Sequence, residues 1–182
     1  MKPADRILQQ WRIRKILPYL KPNDRVLDIG SAQGVLFARA PWLAPNSVGI
    51  DPALAVKVEA SRYLLLPGFF PQDMPPVKPF DVIVMLAVLE HFPQAQYPAL
   101  AGGCARFLVR GGLLLITVPS PFVDTMLKWL KAFRVLDGMS LEEHHGYNVE
   151  QTPRIFANPA FALRHRGTFQ FGLNNLFVFC RL

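Results

Sequence analysis

Val26-Leu27-Asp28-Ile29-Gly30-Ser31-Ala32-Gln33-Gly34 is the stretch on which the fold turns. A short apolar run holding one Asp and closed by a glycine reads as a buried strand entering a tight turn. Gly30 and Gly34 let a ligand approach the backbone, and a helix expected over Gly34–Ala40, stopped by Pro41, would present free N–H groups to an anion. The next strand, Ser47-Val48-Gly49-Ile50, ends at Asp51-Pro52. Asp51 follows Gly30 by 21 residues (51 − 30). A carboxylate that accepts hydrogen bonds from ribose hydroxyls is expected about 20 residues beyond such a turn. Gly-x-x-x-Gly alone is as well explained by two ordinary turn glycines. Strand, Asp, glycine turn, helix, strand and terminal Asp in succession is far more specific.

Working outward, residues 4–17 read as a helix with Ile7, Leu8, Trp11, Ile13, Ile16 and Leu17 largely on one face, ended by Pro18 and Pro22. Beyond Asp51 a helix is expected at about Ala53–Ala60 and a weak strand at Tyr63–Leu66, broken by Pro67-Gly68. Phe80–Leu86 is a strand buried on both faces. Ala95–Val109 is a helix with Pro98 in its first turn, where a missing N–H costs little. Gly111-Gly112 turns the chain into the strand Leu113–Val118. Continuously apolar strands alternating with helices indicate a doubly wound α/β architecture with a mostly parallel sheet. The last strands, near Phe161–Phe169 and Asn174–Cys180, are too close for a crossover, so they form a hairpin with at least one antiparallel strand at that edge. The expectation is one domain over 1–182, with residues 121–147 as an insertion over the carboxyl edge of the sheet.

Composition sets the outer limits. The 182 residues suit one domain. At 51% hydrophobic and 18% charged the chain is too apolar and too weakly charged for a disordered protein. No apolar run approaches the roughly 20 residues of a membrane-spanning helix, and Met1–Leu20 lacks an apolar signal region, so a cytoplasmic protein is expected. Cys104 and Cys180 make neither a disulfide framework nor a zinc set. The net charge of +7 permits nucleic acid, anionic membrane or acidic substrate as partner. The basic residues are dispersed and not interleaved with aromatics, which argues against nucleic acid.

Four stretches together resemble the class I S-adenosylmethionine-dependent methyltransferases, especially the small-molecule branch that includes quinone-biosynthesis enzymes. They are Val26–Gly34, Val48-Gly49-Ile50-Asp51, Phe80–His91 with its Leu89-Glu90-His91 ending, and Leu108-Val109-Arg110-Gly111-Gly112-Leu113-Leu114. The resemblance runs from about Leu17 to Val118 and more faintly to the C-terminus. It is specific for the family, not for the acceptor, and it carries no oligomeric state. It implies a seven-stranded Rossmann-like sheet with a reversed last strand, and S-adenosyl-L-methionine as cofactor. Asp28 and the backbone around Gly30, Ser31 and Gly34 would hold the methionine part, Asp51-Pro52 the ribose side, and Leu86-Ala87 the methionine end. Three departures stand out. Ala32 replaces a usual Gly, and Arg110 a usual Pro. Phe69 or Phe70 stands where an acid commonly reads the adenine amine, with Asp73 able to substitute only if the loop is rearranged.

For transfer to a hydroxyl a base is needed, and histidine suits neutral pH. His91 lies a few residues beyond the fourth strand; its plain alternative is a helix-start histidine bonded to backbone. Glu142-Glu143-His144-His145-Gly146-Tyr147 offers His144 or His145 from the insertion. Adjacent histidines are poorly placed to share one ion, so no metal is assigned. The insertion helix sets Asp124, Lys128 and Lys131 against Phe122, Met126, Trp129, Leu130, Phe133 and Leu136. It reads as a helix packed on the core, or more sharply as a lid for an apolar or lipid-linked acceptor, or a peripheral membrane contact. Three rival readings are a nicotinamide dehydrogenase, a nucleic-acid methyltransferase and a non-catalytic cofactor-binding relative. The first lacks the third close glycine, and the second lacks an acidic-Pro-Pro-aromatic motif after Leu86. Ala32 and Phe69 keep the third open.

Overall fold

The computed structural model describes residues 3–120, 147–157 and 159–182. Its elements in chain order are α1 (Pro3–Ile16), β1 (Val26–Ile29), α2 (Val35–Arg39), β2 (Ser47–Asp51), β3 (Val58–Glu59), β4 (Tyr63–Pro67), β5 (Phe80–Leu86), α3 (Tyr97–Phe107), β6 (Leu108–Pro119), α4 (Gln151–Ile155), β7 (Phe161–Phe169) and β8 (Asn174–Arg181). The strands form one sheet in the order β3-β4-β2-β1-β5-β6-β8-β7. β4, β2, β1, β5 and β6 are mutually parallel. β8 runs antiparallel to both β6 and β7, so the reversed strand lies between them.

Successive side chains of a strand point to opposite faces, and the two apolar layers follow that period. Leu27 and Ile29 of β1, Ile83 and Met85 of β5, and Leu114 and Ile116 of β6 pack with Leu100, Cys104 and Phe107 of α3 on one face. Val26, Val82, Val84 and Leu115 pack with Ile13 and Ile16 of α1 and Leu36 and Phe37 of α2 on the other. Helices therefore cover both faces, which is why the central strands are apolar at nearly every position.

The sheet has eight strands, one more than expected. The addition comes from the segment expected to be a helix at Ala53–Ala60. There the Asp51 side chain accepts from Ala53 N at 2.8 Å and bends the chain into a turn. Val58 and Glu59 then pair antiparallel with Leu65 and Leu64. Val56 and Val58 are exposed, so the segment has no apolar stripe with which to dock a helix. α3 begins at Tyr97, two residues later than expected, because Gln94–Gln96 forms a separate 3-10 turn. β6 begins at Leu108 and carries Gly111-Gly112 as an irregularity: its register with β5 passes from Phe80–Leu108 to Val82–Leu113, and Gly111 takes φ +78°. The insertion at 121–147 lies outside the described residues except for Tyr147.

Candidate active site

All the strand ends that carry the candidate residues face one way, because β1, β2, β4 and β5 are parallel. Their carboxyl ends bring Asp28 and Gly30, Asp51, Gly68-Phe69 and Leu86-Ala87 along one edge of the sheet. The loop after β1 is held against β2: Gly30 N donates to Ile50 O at 2.8 Å and Gly34 N to Ser31 O at 2.9 Å. Gly30 and Gly34 take φ +77° and +75°, the left-handed region that glycine adopts without penalty. Gly30 is also crowded. A Cβ there would lie 2.3 Å from Val88 Cγ2, so the side chain two residues beyond β5 rests on this glycine.

Asp51 does more locally than its spacing suggests. Its Oδ2 accepts from Ala32 N at 2.7 Å and its Oδ1 from Ala53 N at 2.8 Å, so it ties the turn after β1 to the turn after β2. Each carboxylate oxygen has further acceptor capacity for a ligand hydroxyl. Ala32, where the resembling family usually has Gly, takes φ +46°. The substitution leaves the glycine-like backbone in place and adds a methyl at some strain.

Asp28 is only 4% exposed. Burial, and secondarily the Asp51 charge, push its carboxyl up to about 8. The group therefore holds a proton at neutral pH until a cation arrives beside it. Next to it, Ser31 Oγ is buried and has no hydrogen-bond partner among the described residues. An unsatisfied buried hydroxyl beside a carboxyl that favours a cation suits a ligand bearing an ammonium or sulfonium. Ser31 lies over Gly49, where a Cβ would come within 2.5 Å of its Oγ.

Of the two aromatic candidates, Phe69 is 64% exposed and Phe70 is 3% exposed. Phe70 faces Phe107 with ring centroids 5.8 Å apart, and its ring edge is 3.0 Å from where a Gly103 Cβ would be. Its ring packs in the core in this structure. Phe69 is left as the accessible ring. Asp73 is oriented inward to its own loop: its Oδ2 accepts from Phe69 N at 2.7 Å. Pro52 is exposed beside Asp51. Leu86 pairs with Thr117, and Ala87, at φ +57°, donates its N–H to Thr117 O at 2.8 Å.

His91 is exposed at the end of a 3-10 turn, Leu89–His91, and its N–H donates to Val88 O at 3.0 Å. His144 and His145 lie outside the described residues. The sequence reading gave Glu90 no role beyond its motif, yet it is 2% exposed. Its charge raises the Tyr97 phenol, after the larger effect of burial. Burial also raises the Tyr147 phenol, outweighing its 2.6 Å hydrogen bond with Thr152, and Tyr97 and Glu90 add to the rise. Leu89 before it and Phe92 two residues after it were the available signal that it turns inward. No group of three or more possible metal-ligating side chains occurs among the described residues.

The geometry can be set against known proteins. A family model described as a methyltransferase domain matches residues 4–155. The chain belongs to the methyltransferase-domain family. It is of the class I, S-adenosylmethionine-dependent kind, as the doubly wound sheet with its reversed strand indicates. Among curated relatives, the ribosomal protein L11 methyltransferase of Thermus thermophilus is 32% identical over 112 residues, covering 58% of this chain and 42% of that protein. The ubiquinone biosynthesis O-methyltransferase of a Bradyrhizobium species is 30% identical over 101 residues, covering 51% and 39%. The chain thus spans about two fifths of the length of these relatives. Among solved structures, the magnesium protoporphyrin IX methyltransferase of Synechocystis with bound S-adenosylhomocysteine aligns over 97% of this chain and 85% of that one, with TM-score 0.67 and 17% identity. The N-methyltransferase NodS of Bradyrhizobium japonicum aligns over 97% and 98%, with TM-score 0.67 and 18% identity. At these identities the structural likeness shows the fold. No helix among the described residues is long and apolar enough to cross a membrane.

Proposed function

We propose that this domain transfers a methyl group from S-adenosylmethionine to a hydroxyl oxygen of a small or lipid-linked acceptor. The donor side rests on the Asp28–Ser31–Asp51 arrangement: a buried carboxyl pushed up to about 8, an unsatisfied hydroxyl and a second carboxylate at one sheet edge. Asp28 would face the methionine ammonium, and its ionisation on ligand entry would supply the counter-charge. Asp51 would accept from the ribose hydroxyls while keeping its bonds to Ala32 N and Ala53 N. Phe69 would lie along adenine, and Leu86-Ala87 would border the methionine. The bound donor supplies a sulfonium-activated methyl group. The protein's task is then to hold the acceptor oxygen in line and keep water away.

The oxygen acceptor is supported by the relatives named ubiquinone biosynthesis O-methyltransferase and by a histidine beyond β5. In this reading His91, or His145 from the segment at 121–147, accepts the acceptor's proton, and that segment covers the apolar part of the acceptor. The amphipathic pattern of the same segment supports lipid linkage and a peripheral membrane contact. His91→Ala and His145→Ala tested against a panel of catechol- and phenol-type acceptors are decisive. Loss of a base lowers turnover about 10²–10⁴-fold with S-adenosylhomocysteine affinity nearly intact. Turnover unchanged in both variants removes the histidine base and favours an amine or carbanion acceptor, as the ribosomal-protein relative makes worth testing.

A further inference from the structure

On the sheet's far flank α1 meets the β7–β8 hairpin. Arg12 Nε donates to Asn174 Oδ1 at 3.2 Å and fastens the two together. Between them lies an open groove of about 320 Å3 lined by Trp11, Arg14, Lys15, Phe169 and Gln170. The Lys15 ammonium stands 5.9 Å from the centroid of the Phe169 ring. Ile7, Trp11, Arg14 and Lys15 follow helical spacing and form one stripe, and Ile7 and Trp11 are both exposed. Such a stripe is not needed for folding, because α1 buries Ile13 and Ile16 instead.

The hairpin tip adds a second observation. Leu173 N donates to Gln170 O at 3.0 Å across Phe171 and Gly172, which take φ +55° and +83°. This is a type I′ geometry whose first central position favours Asn, Asp or Gly. Here it holds a phenylalanine that is 98% exposed. Both the backbone conformation and the exposure are unfavourable for Phe, and strain of this kind gathers at functional positions. The charge of the two segments is mostly positive. α1 has Arg6, Arg12, Arg14 and Lys15 against the single acid Asp5, and from Pro159 to Leu182 the chain has three arginines and no acid, of which Arg166 is paired with Glu150.

We propose that this surface docks on an anionic lipid bilayer, with Phe171, Trp11 and Ile7 entering the headgroup boundary and Arg6, Arg14 and Lys15 meeting lipid phosphates. Aromatic and basic residues beside one another are the usual means of interfacial binding. A projecting tip flanked by a shallow open groove suits a bilayer, which needs no complementary shape, better than a protein partner, which does. The location is also informative. Asn174 at the start of β8 pairs with Pro119 at the end of β6, and Ser120 N donates to Leu173 O at 2.9 Å. The tip therefore stands at the carboxyl edge, the same edge as the cofactor residues, three strands from β1. Docking there would turn the cofactor edge towards lipid, as a lipid-linked acceptor requires.

Co-sedimentation of the full chain with vesicles tests this, with no methyl donor or acceptor present, so the result is independent of the proposed reaction. Vesicles of phosphatidylcholine with about 30% phosphatidylglycerol should capture the chain, and pure phosphatidylcholine should not. Raising salt from about 0.05 to about 0.5 M should weaken capture through screening. Phe171→Asn suits the turn and retains the fold, and it should weaken partition about tenfold or more, as should Trp11→Ser. Arg14→Glu with Lys15→Glu should remove most of the salt-sensitive part. Equal capture by neutral and anionic vesicles, or capture unchanged in Phe171→Asn and Trp11→Ser, overturns the proposal. So does concentration-dependent self-association without lipid that Phe171→Asn abolishes, which would assign the surface to a second copy of the chain.

Discussion

Entry of the cofactor should eject a proton from Asp28. The carboxyl is held at about 8 against an ordinary 3.8 by burial first and by Asp51 second. At pH 7 such a group is mostly protonated. A ligand ammonium or sulfonium beside it favours the ionised form, so binding at pH 7 should release most of one proton. Affinity for S-adenosylhomocysteine should then rise nearly tenfold per pH unit between about 5 and 8 and level off above, since each unit is worth about 1.4 kcal/mol. Calorimetry at pH 7 in buffers of different ionisation enthalpy measures the proton count directly. Asp28→Asn should bind more weakly and show no release. Stability has a definite sign. The folded-state value lies above the unfolded one, so ionisation costs the fold nothing below about pH 3.8. The cost grows as pH rises towards 8 and levels off above it. The parent's stability relative to Asp28→Asn should therefore fall through that window and stay constant above it. A heat of binding that is independent of buffer, with the parent's affinity flat from pH 5 to 8, would refute the reasoning.

Asp51→Ala should lower both cofactor affinity and the stability of the ligand-free chain, since the same carboxylate holds Ala32 N and Ala53 N. Loss of charge-assisted bonds at this partly exposed site should cost about 1.5–3 kcal/mol in each measurement, and thermal melts without ligand that match the parent would remove the structural half. Gly30→Ala places a methyl 2.3 Å from Val88 Cγ2 at φ +77° and should cost about 2–4 kcal/mol by denaturant titration. Adding Val88→Ala should return the steric part but not the backbone part. Ala32→Gly relieves a left-handed alanine but loosens the unfolded chain, so its melt should shift by about 1 kcal/mol or less, towards stability. A large destabilisation there would mean that the Ala32 methyl makes contacts that the φ value does not reveal.

The elements that could be read from the chain are those decided by local pattern. Val26–Ile29 and Phe80–Leu86, each interrupted by one Asp, and the apolar part of β6 are largely apolar because both sheet faces are covered. Gly30, Gly34 and Asp51 could be assigned to a turn and a strand end from residue type and spacing alone. The 53–60 segment could not, since its alanines and valines permit a helix and only the Asp51–Ala53 turn and the open edge of β4 make it a strand. Phe69 and Phe70 are adjacent and chemically identical. Packing against Phe107 and Gly103 buries one and leaves the other accessible. Val88 resting on Gly30 and the inward turn of Glu90 depend on contacts between residues distant in sequence or on the path of the chain after β5. The Asp28 proton is the clearest case. A sequence names the carboxyl, but its affinity is a sum over solvent excluded by the whole sheet edge and over the Asp51 charge 23 residues away, and only the folded chain brings those together.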